Sequence, residues 1–239
     1  LNTLPLRARL EGREDAQILI IGGGFSGLHT ALRLALAGKK VVLLEASRLA
    51  WAASGRNGGQ ALPGWSCDMP PFEKALGLER ARQLWDSMTW AAKEMRELPE
   101  RHGFDIDYRT GAIYTAVLPR RVRLLQENLE EAEQKYGYQQ LSFIPKNELP
   151  KWIASPRYLA ALHDAGAAHL NPLKLAQGLA DAIEKAGGRS FEQSKVLDYR
   201  ETGEGYVART EHGEVRGDVL VLACNAYIDR LDPALSKRL

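Results

Sequence analysis

The sequence predicts an α/β fold, α+β overall, built around a parallel sheet. Three observations predict it. An apolar run, Ile18-Leu19-Ile20-Ile21, leads straight into Gly22-Gly23-Gly24-Phe25-Ser26-Gly27, and an amphipathic helical pattern follows without a gap. A second apolar run, Val41-Val42-Leu43-Leu44, closes on an acid, Glu45. Strand, glycine turn, helix, strand and acid in this order make a Rossmann-like βαβ unit, which holds the pyrophosphate of a nucleotide cofactor.

Each glycine of the turn has its own task. Gly22 permits a tight turn at the strand end, Gly24 lets the backbone approach a pyrophosphate, and Gly27 lets the helix pack close to the strand. The helix N-terminus then offers unpaired N–H groups and a positive dipole end to the phosphates. Leu28, Ala31, Leu32, Ala35 and Leu36 recur at helical spacing. Gly38 ends the helix. Glu45 stands where an acid binds the ribose hydroxyls of an adenine dinucleotide.

The remaining elements follow in order. Residues 1–16 read as an irregular polar lead-in. Residues 46–71 form a long loop rich in Gly, Ser, Asn and Pro, and its position after the second strand makes it functional. Residues 72–102 are helical and broken near Gly77, with Leu84, Met88, Ala91, Ala92 and Met95 on one apolar face and Trp85 and Trp90 as packing residues. Residues 105–117 read as a hairpin with Thr110-Gly111 near its turn. Pro119 starts a charged helix running to about Lys135, whose Glu127, Glu130, Glu131 and Glu133 form a solvated face. Residues 157–170 alternate as a strand. Asn171-Pro172 starts a helix that Gly187-Gly188 stops. Short strands fill 189–223, and Val219–Ala223 has the unalternating apolar character of a buried central strand.

Composition narrows the function classes. The 239 residues carry 32 Lys and Arg against 30 Asp and Glu. That balance gives no reason to propose nucleic acid as a partner. No run is apolar enough for a membrane span. Arg7, Arg9, Glu11, Arg13, Glu14 and Asp15 interrupt the N-terminus, which argues against a signal peptide. Cys67 and Cys224 lie far apart and the histidines lack zinc-type spacing, so reduced thiols in a cytoplasm and no metal are expected.

The segment Ala53-Ser54-Gly55-Arg56-Asn57-Gly58-Gly59-Gln60 is the second informative stretch. Its glycines let backbone N–H groups line an anion or a flat ring. Arg56 can neutralise a pyrophosphate or a reduced flavin. Asn57 and Gln60 can bond polar ring atoms.

With both segments in view, the chain resembles the FAD-dependent D-amino-acid oxidase superfamily, also called the glycine/D-amino-acid oxidase family. The pairing of Gly-Gly-Gly-Phe-Ser-Gly-Leu-His-Thr-Ala with Ser-Gly-Arg-Asn-Gly-Gly-Gln is most similar to its gamma-glutamylputrescine oxidoreductase subgroup. Leu4-Pro5-Leu6 and Leu222-Ala223-Cys224-Asn225-Ala226-Tyr227 resemble that subgroup too. His29 and Gln17 depart from the usual pattern, and His29 reads as a helix-surface or packed residue.

The resemblance implies FAD as cofactor. It places Gly22, Gly24, Phe25, Ser26 and Gly27 at the pyrophosphate and Glu45 at the adenosine ribose. Ala46, Arg48 and Val196 fall at the adenine end. Ser54, Gly55, Arg56, Asn57, Gly58, Gly59 and Gln60 run along the pyrophosphate, ribityl chain and flavin ring, and Ala223, Cys224 and Asn225 sit where a strand end nears the cofactor. It implies a discontinuous FAD-binding domain, 15–100 with 165–239, incomplete at its C-terminus because family members continue further. Residues 101–164 become part of a mixed sheet and helix substrate domain.

The implied chemistry is oxidation of the C–N bond of a small-molecule amine or amino acid by hydride transfer to flavin N5. The resulting imine hydrolyses to an aldehyde, and oxygen or a quinone-type acceptor takes the electrons. No catalytic residue emerges. Tyr108, Arg109 and Tyr114 lie on the substrate side, where packing accounts for them equally well. Two other readings stay open: an NAD(P)H-dependent flavoprotein reductase, which would need a second dinucleotide motif, and a non-catalytic FAD-binding fragment.

Overall fold

The computed structural model describes residues 6–238. Leu4 and Pro5 of the subgroup-like segment lie outside the described residues. In chain order the elements are β1 (Gly12–Ile21), α1 (Phe25–Leu36), β2 (Val41–Leu44), β3 (Gln60–Ala61), α2 (Met69–Leu76), α3 (Leu78–His102), β4 (Arg109–Ala116) and α4 (Pro119–Tyr136). There follow β5 (Leu141–Pro145), β6 (Ala160–His169), α5 (Pro172–Lys185), β7 (Arg189–Phe191), β8 (Asp198–Thr202), β9 (Gly205–Arg209), β10 (Gly213–Leu222) and α6 (Pro233–Ser236).

The chain divides into two compact units. The first joins residues 1–57 to 172–239 and the second is 58–171. The first holds a six-stranded sheet in the order β7-β2-β1-β10-β9-β8. The strands β7, β2, β1 and β10 run parallel, while β9 and β8 add antiparallel pairs. Leu19, Leu43 and Val42 are fully buried, and Leu28, Ala31 and Leu32 of α1 cover the sheet from the helix side. Each buried leucine of this kind contributes about 1.5–3 kcal/mol. Helix α5 buries Leu175, Ala176, Leu179, Ala180 and Ile183. At Gly188 a Cβ would fall 3.5 Å from Ala35 of α1, so the helix exits close against it.

The second unit holds a smaller sheet in the order β3-β6-β4, with β5 also paired to β6. Trp85 of α3 stacks on Tyr136 at the end of α4, ring centroids 4.3 Å apart. Gly77, at φ +81°, separates α2 from α3.

Three sequence expectations need correction. Residues 12–16 are not lead-in: they are the first half of β1, paired residue for residue with Gly213–Gly217 of β10. Their polar character reads as loop, but a parallel partner supplies the backbone bonds. Residues 105–117 are not a hairpin. β4 is a single strand paired with β6, and Thr110-Gly111 sits at a register shift within it. Gly111, at φ +91°, takes the irregularity without a turn. The strand around Val219 is central in its sheet, yet Val219 is 48% exposed. β9 pairs only with residues 214–217, so this end of β10 has β1 on one side alone. The chain passes from one compact unit to the other at 57/58 and 171/172; β3 pairs with β6, and α3 packs on α4 within the second unit.

Candidate functional site

The glycine turn is built by contacts that exclude side chains. Gly22 has φ +114°, and a Cβ there would stand 2.4 Å from the Ala223 carbonyl oxygen. A Cβ at Gly27 would stand 1.9 Å from the Gly22 oxygen. Only glycine fits at either place. The Gly22 N–H donates to Leu44 O at 2.9 Å, and Ala223 N–H donates to Ile21 O at 2.8 Å. The turn is therefore clamped by β2 on one side and by the end of β10 on the other.

Gly24 caps α1 in an extended conformation without a side-chain cap bond. The first helical N–H groups have no partner within the helix, and the positive end of the dipole lies here. Ser54 reaches this end from the loop. Its Oγ accepts the Phe25 N–H at 3.0 Å and lies where a Gly24 side chain would crowd it. Ser26 is exposed and Gly27 buried.

Glu45 is tied to the turn. One carboxylate oxygen accepts the Gly23 N–H at 2.7 Å and the other the Ser47 N–H at 2.8 Å. Ala50 N–H donates to Gly23 O at 2.8 Å. Ala46 is exposed and Arg48 half-buried on the same short arc. The arc is held in turn by the segment after β7: Gln193 N–H donates to Ser47 O and Ser194 N–H to Glu45 O, both at 2.8 Å. Val196, a little further on, is buried in the core of the sheet.

Cys224 is half-buried, and its Sγ donates to Ile21 O at 3.3 Å. Burial first, and the nearby Glu45 charge second, push its thiol pKa above the ordinary value. Asn225 adopts φ +51°, with its Oδ1 accepting the Ala226 N–H.

The loop residues divide. Gly55 is wedged: a Cβ would meet the Ala50 oxygen at 2.2 Å. Arg56 Nε donates to Trp51 O at 2.6 Å, with the guanidinium over the Trp51 ring. Asn57 Nδ2 donates to the carbonyls of Ala53 and Ser54, closing the short 3₁₀ turn at 53–55. These two side chains order the loop itself. Gly58, Gly59 and Gln60 belong to the second unit, where Gly59 O accepts the Leu170 N–H and Gln60 opens β3.

Two supports escaped sequence reasoning. Glu192 is 3% exposed, and its carboxylate accepts the Leu49 N–H at 2.7 Å and the Arg7 N–H at 2.9 Å. Ser194 is also buried, accepting the Leu10 N–H and donating to Glu192 O. No local pattern marks a buried acid whose partners lie over a hundred residues away. A cleft of about 310 Å³ lies between this Glu192 region and α5, lined in part by Arg7, Arg48, Leu173 and Gln177. It takes in Arg48 but neither Glu45 nor the glycines, so it adjoins the glycine turn without being part of it.

The arrangement suits an adenine dinucleotide: a side-chain-free cradle, a helix N-terminus aimed at it, and an acid fixed at the end of β2. Residues 17–239 match the FAD dependent oxidoreductase (DAO) family. The chain belongs to that family. It is 41% identical to gamma-glutamylputrescine oxidoreductase of Escherichia coli strain K12 over 222 residues, which is 92% of this chain and 52% of the relative. It is 28% identical to glycine oxidase of Pseudomonas aeruginosa over 90% of this chain and 57% of the relative. Among solved structures, glycine oxidase from Geobacillus kaustophilus superposes with a TM-score of 0.72 at 23% identity, covering 91% of this chain and 57% of the other. That likeness concerns the fold. The chain spans about half the length of the curated relatives it matches. Among the described residues no helix is long and apolar enough to cross a membrane, and no cluster of His, Cys, Asp and Glu could hold a metal ion.

Proposed function

We propose that this chain carries the cofactor-holding part of an FAD-dependent oxidoreductase that oxidises the C–N bond of an amine or amino acid, gamma-glutamylputrescine being the favoured substrate. One observation carries the reading: the Gly22–Gly27 cradle has Glu45 bonded into it at Gly23 and Ser54 bonded to its helix end at Phe25. The 41% identity to gamma-glutamylputrescine oxidoreductase supports the choice of substrate.

In this reading the first unit is the FAD domain and the second belongs to the substrate side. The α1 N-terminus and Gly22, Gly24, Ser26 and Gly27 hold the pyrophosphate. Glu45 orients the adenosine ribose, with Ala46, Arg48 and the Val196 backbone at the adenine end. Ser54 to Asn57 form the ordered wall beside the phosphates, and Ala223, Cys224 and Asn225 close the strand end. When bound, FAD supplies hydride acceptance at N5 from the carbon next to the substrate nitrogen. Water then hydrolyses the released imine to an aldehyde, the nitrogen leaving as free amine or ammonia. Oxygen or a quinone-type compound is the proposed electron acceptor. The free cysteines, Cys67 and Cys224, support a cytoplasmic location.

The test is the visible absorption spectrum of the purified chain supplied with FAD, before and after anaerobic addition of gamma-glutamylputrescine. A bound flavin band that bleaches is the expected result. A band that stays unchanged with every amine overturns the catalytic reading, and the absence of any bound flavin overturns the cofactor reading.

A further inference from the structure

Trp85, which reads from the sequence as a packing residue, touches two tyrosines. Its ring stacks on Tyr136, centroids 4.3 Å apart and planes 12° from parallel. Tyr138 meets it edge-on, centroids 5.6 Å apart. Both phenols end on a carboxylate. Tyr136 Oη donates to Glu73 Oε1 at 2.5 Å, and Tyr138 Oη donates to Asp164 Oδ1 at 2.7 Å. These lengths are those of charge-assisted O–H···O⁻ bonds. Trp65 and Trp152 meet Phe72 and His163 instead, rings without a phenol.

The cluster lies within the second unit and is held by three helices. Glu73 comes from α2, Trp85 from α3, and Tyr136 ends α4. Lys135 Nζ donates to Glu73 Oε2 at 3.0 Å and to Glu131 at 2.7 Å. Asp164 is buried and also accepts the Gly166 N–H at 2.9 Å. Trp85 and both tyrosines are half-buried, so the rings are ordered yet reach solvent at an edge.

Stacked and edge-on contacts are ordinary aromatic packing. Packing does not require an anion on the hydroxyl of each phenol beside the indole, whereas one-electron chemistry does. Indole and phenol are rings that give up an electron readily. A phenol keeps its proton at neutral pH, and burial, with the carboxylate bond after it, pushes both of these hydroxyls higher still. A phenol that has lost an electron is a far stronger acid than any carboxylic acid, so a carboxylate bonded to it takes the proton. Glu73 is ionised for that task, its carboxyl held below the usual range first by the Tyr136 hydroxyl and then by Lys135.

We propose that Trp85, Tyr136 and Glu73 form a one-electron relay, with Tyr138 and Asp164 as its second arm. A one-electron oxidant, of the radical class formed when oxygen is incompletely reduced, takes an electron from the Trp85 indole. Tyr136 returns that electron across the stack, and its phenol proton passes to the Glu73 carboxylate. The products are intact Trp85, a neutral Tyr136 phenoxyl radical, protonated Glu73 and the reduced oxidant. A small thiol or ascorbate-type reductant then supplies one electron to the phenoxyl, and Glu73 returns the proton. The relay discharges oxidising equivalents without the loss of a side chain, and it stands independently of the amine-oxidation reading.

The experiment is pulse radiolysis of the 239-residue chain with azide radicals, which oxidise tryptophan in preference to tyrosine. The expected record is decay of the indolyl radical absorption with matching growth of the phenoxyl absorption, at a rate independent of protein concentration. Tyr136→Phe keeps the stacked ring but removes the hydroxyl, and most of that phase is lost. Glu73→Gln keeps the hydroxyl but removes the proton acceptor, and the phase slows. Trp85→Phe loses the phase as well and serves if the Tyr136 variant does not fold. A purely structural role would lower the melting temperature of these variants and leave the radical kinetics unchanged. No concentration-independent conversion in the parent chain, or a folded variant that keeps the parent rate and amplitude, overturns the proposal.

Discussion

The Glu45 carboxylate accepts the Gly23 N–H at 2.7 Å, so the acid at the end of β2 is bonded directly into the glycine turn at the end of β1. The same carboxylate accepts the Ser47 N–H. One side chain thereby shapes both the glycine turn and the arc that follows β2. Glu45→Gln keeps the volume but replaces one accepting oxygen with a donor, leaving one of the two N–H groups unpaired. Bonds to charged groups are worth about 1.5–3 kcal/mol. The expected result is a tenfold or greater rise in the dissociation constant for FAD, read by flavin fluorescence titration. Unchanged affinity would contradict the role given to Glu45.

Gly27→Ala would drive a Cβ to 1.9 Å from the Gly22 oxygen, a backbone atom that cannot step aside. Helix α1 must shift or the turn must open, at about 1–3 kcal/mol or more. FAD binding falls with it. Gly64→Ala is the control, since its Cβ would meet nothing within 4 Å. That variant is neutral or gains up to about 1 kcal/mol through the unfolded chain. Thermal unfolding of the two proteins side by side checks the contrast.

Glu192→Ala removes the acceptor of the buried Leu49 N–H and of the part-buried Arg7 N–H. The expected loss is about 1–3 kcal/mol, mostly from the Leu49 N–H left buried and unsatisfied. Denaturant unfolding measures it. Glu192→Gln keeps one acceptor and recovers part of the loss.

Tyr199 Oη donates to Asp232 Oδ2 at 2.6 Å. The bond pulls the Asp232 carboxyl below its usual range, helped by the Leu235 and Ala234 N–H groups, and raises the Tyr199 hydroxyl to about 12. A depressed acid contributes stability above its unfolded pKa and loses it as pH falls through the folded value. A raised phenol contributes below its unfolded pKa and loses it as pH rises through about 12. Tyr199→Phe should therefore lower the melting temperature across the neutral range, and the gap from the parent should close at both extremes. A gap that is the same at every pH would refute the pairing.

The two thiols should differ in reactivity. Cys67 is exposed, whereas Cys224 is half-buried with its pKa raised. Iodoacetamide at neutral pH should modify Cys67 first, followed by mass spectrometry of the digested protein. Faster labelling of Cys224 would show that its surroundings are misread.

Much of the first unit's βαβ core was legible in the sequence, because its signals are local. Four apolar residues, a glycine turn, a helix at 3.6 periodicity and a closing acid lie within about thirty positions, and each is dictated by its neighbours in the chain. The breaks at Gly77 and Gly187 were legible for the same reason. Position 27 could be marked as needing glycine, but the atom that forbids a side chain there is the Gly22 carbonyl, placed by the fold.

What the tertiary structure alone decided depends on residues brought together from far apart. β10 pairs with β1 from about two hundred positions away, turning polar residues 12–16 into strand. Glu192 is buried because Arg7 and Leu49 converge on it. Residues 105–117, which the sequence suggested as a hairpin, instead give the single strand β4, because β6 is there to pair with it from about fifty positions away. Periodicity and turn residues report how the chain treats its immediate neighbours. Sheet partners and buried acids are set by which surfaces exclude water together, and that is settled only when the whole chain packs.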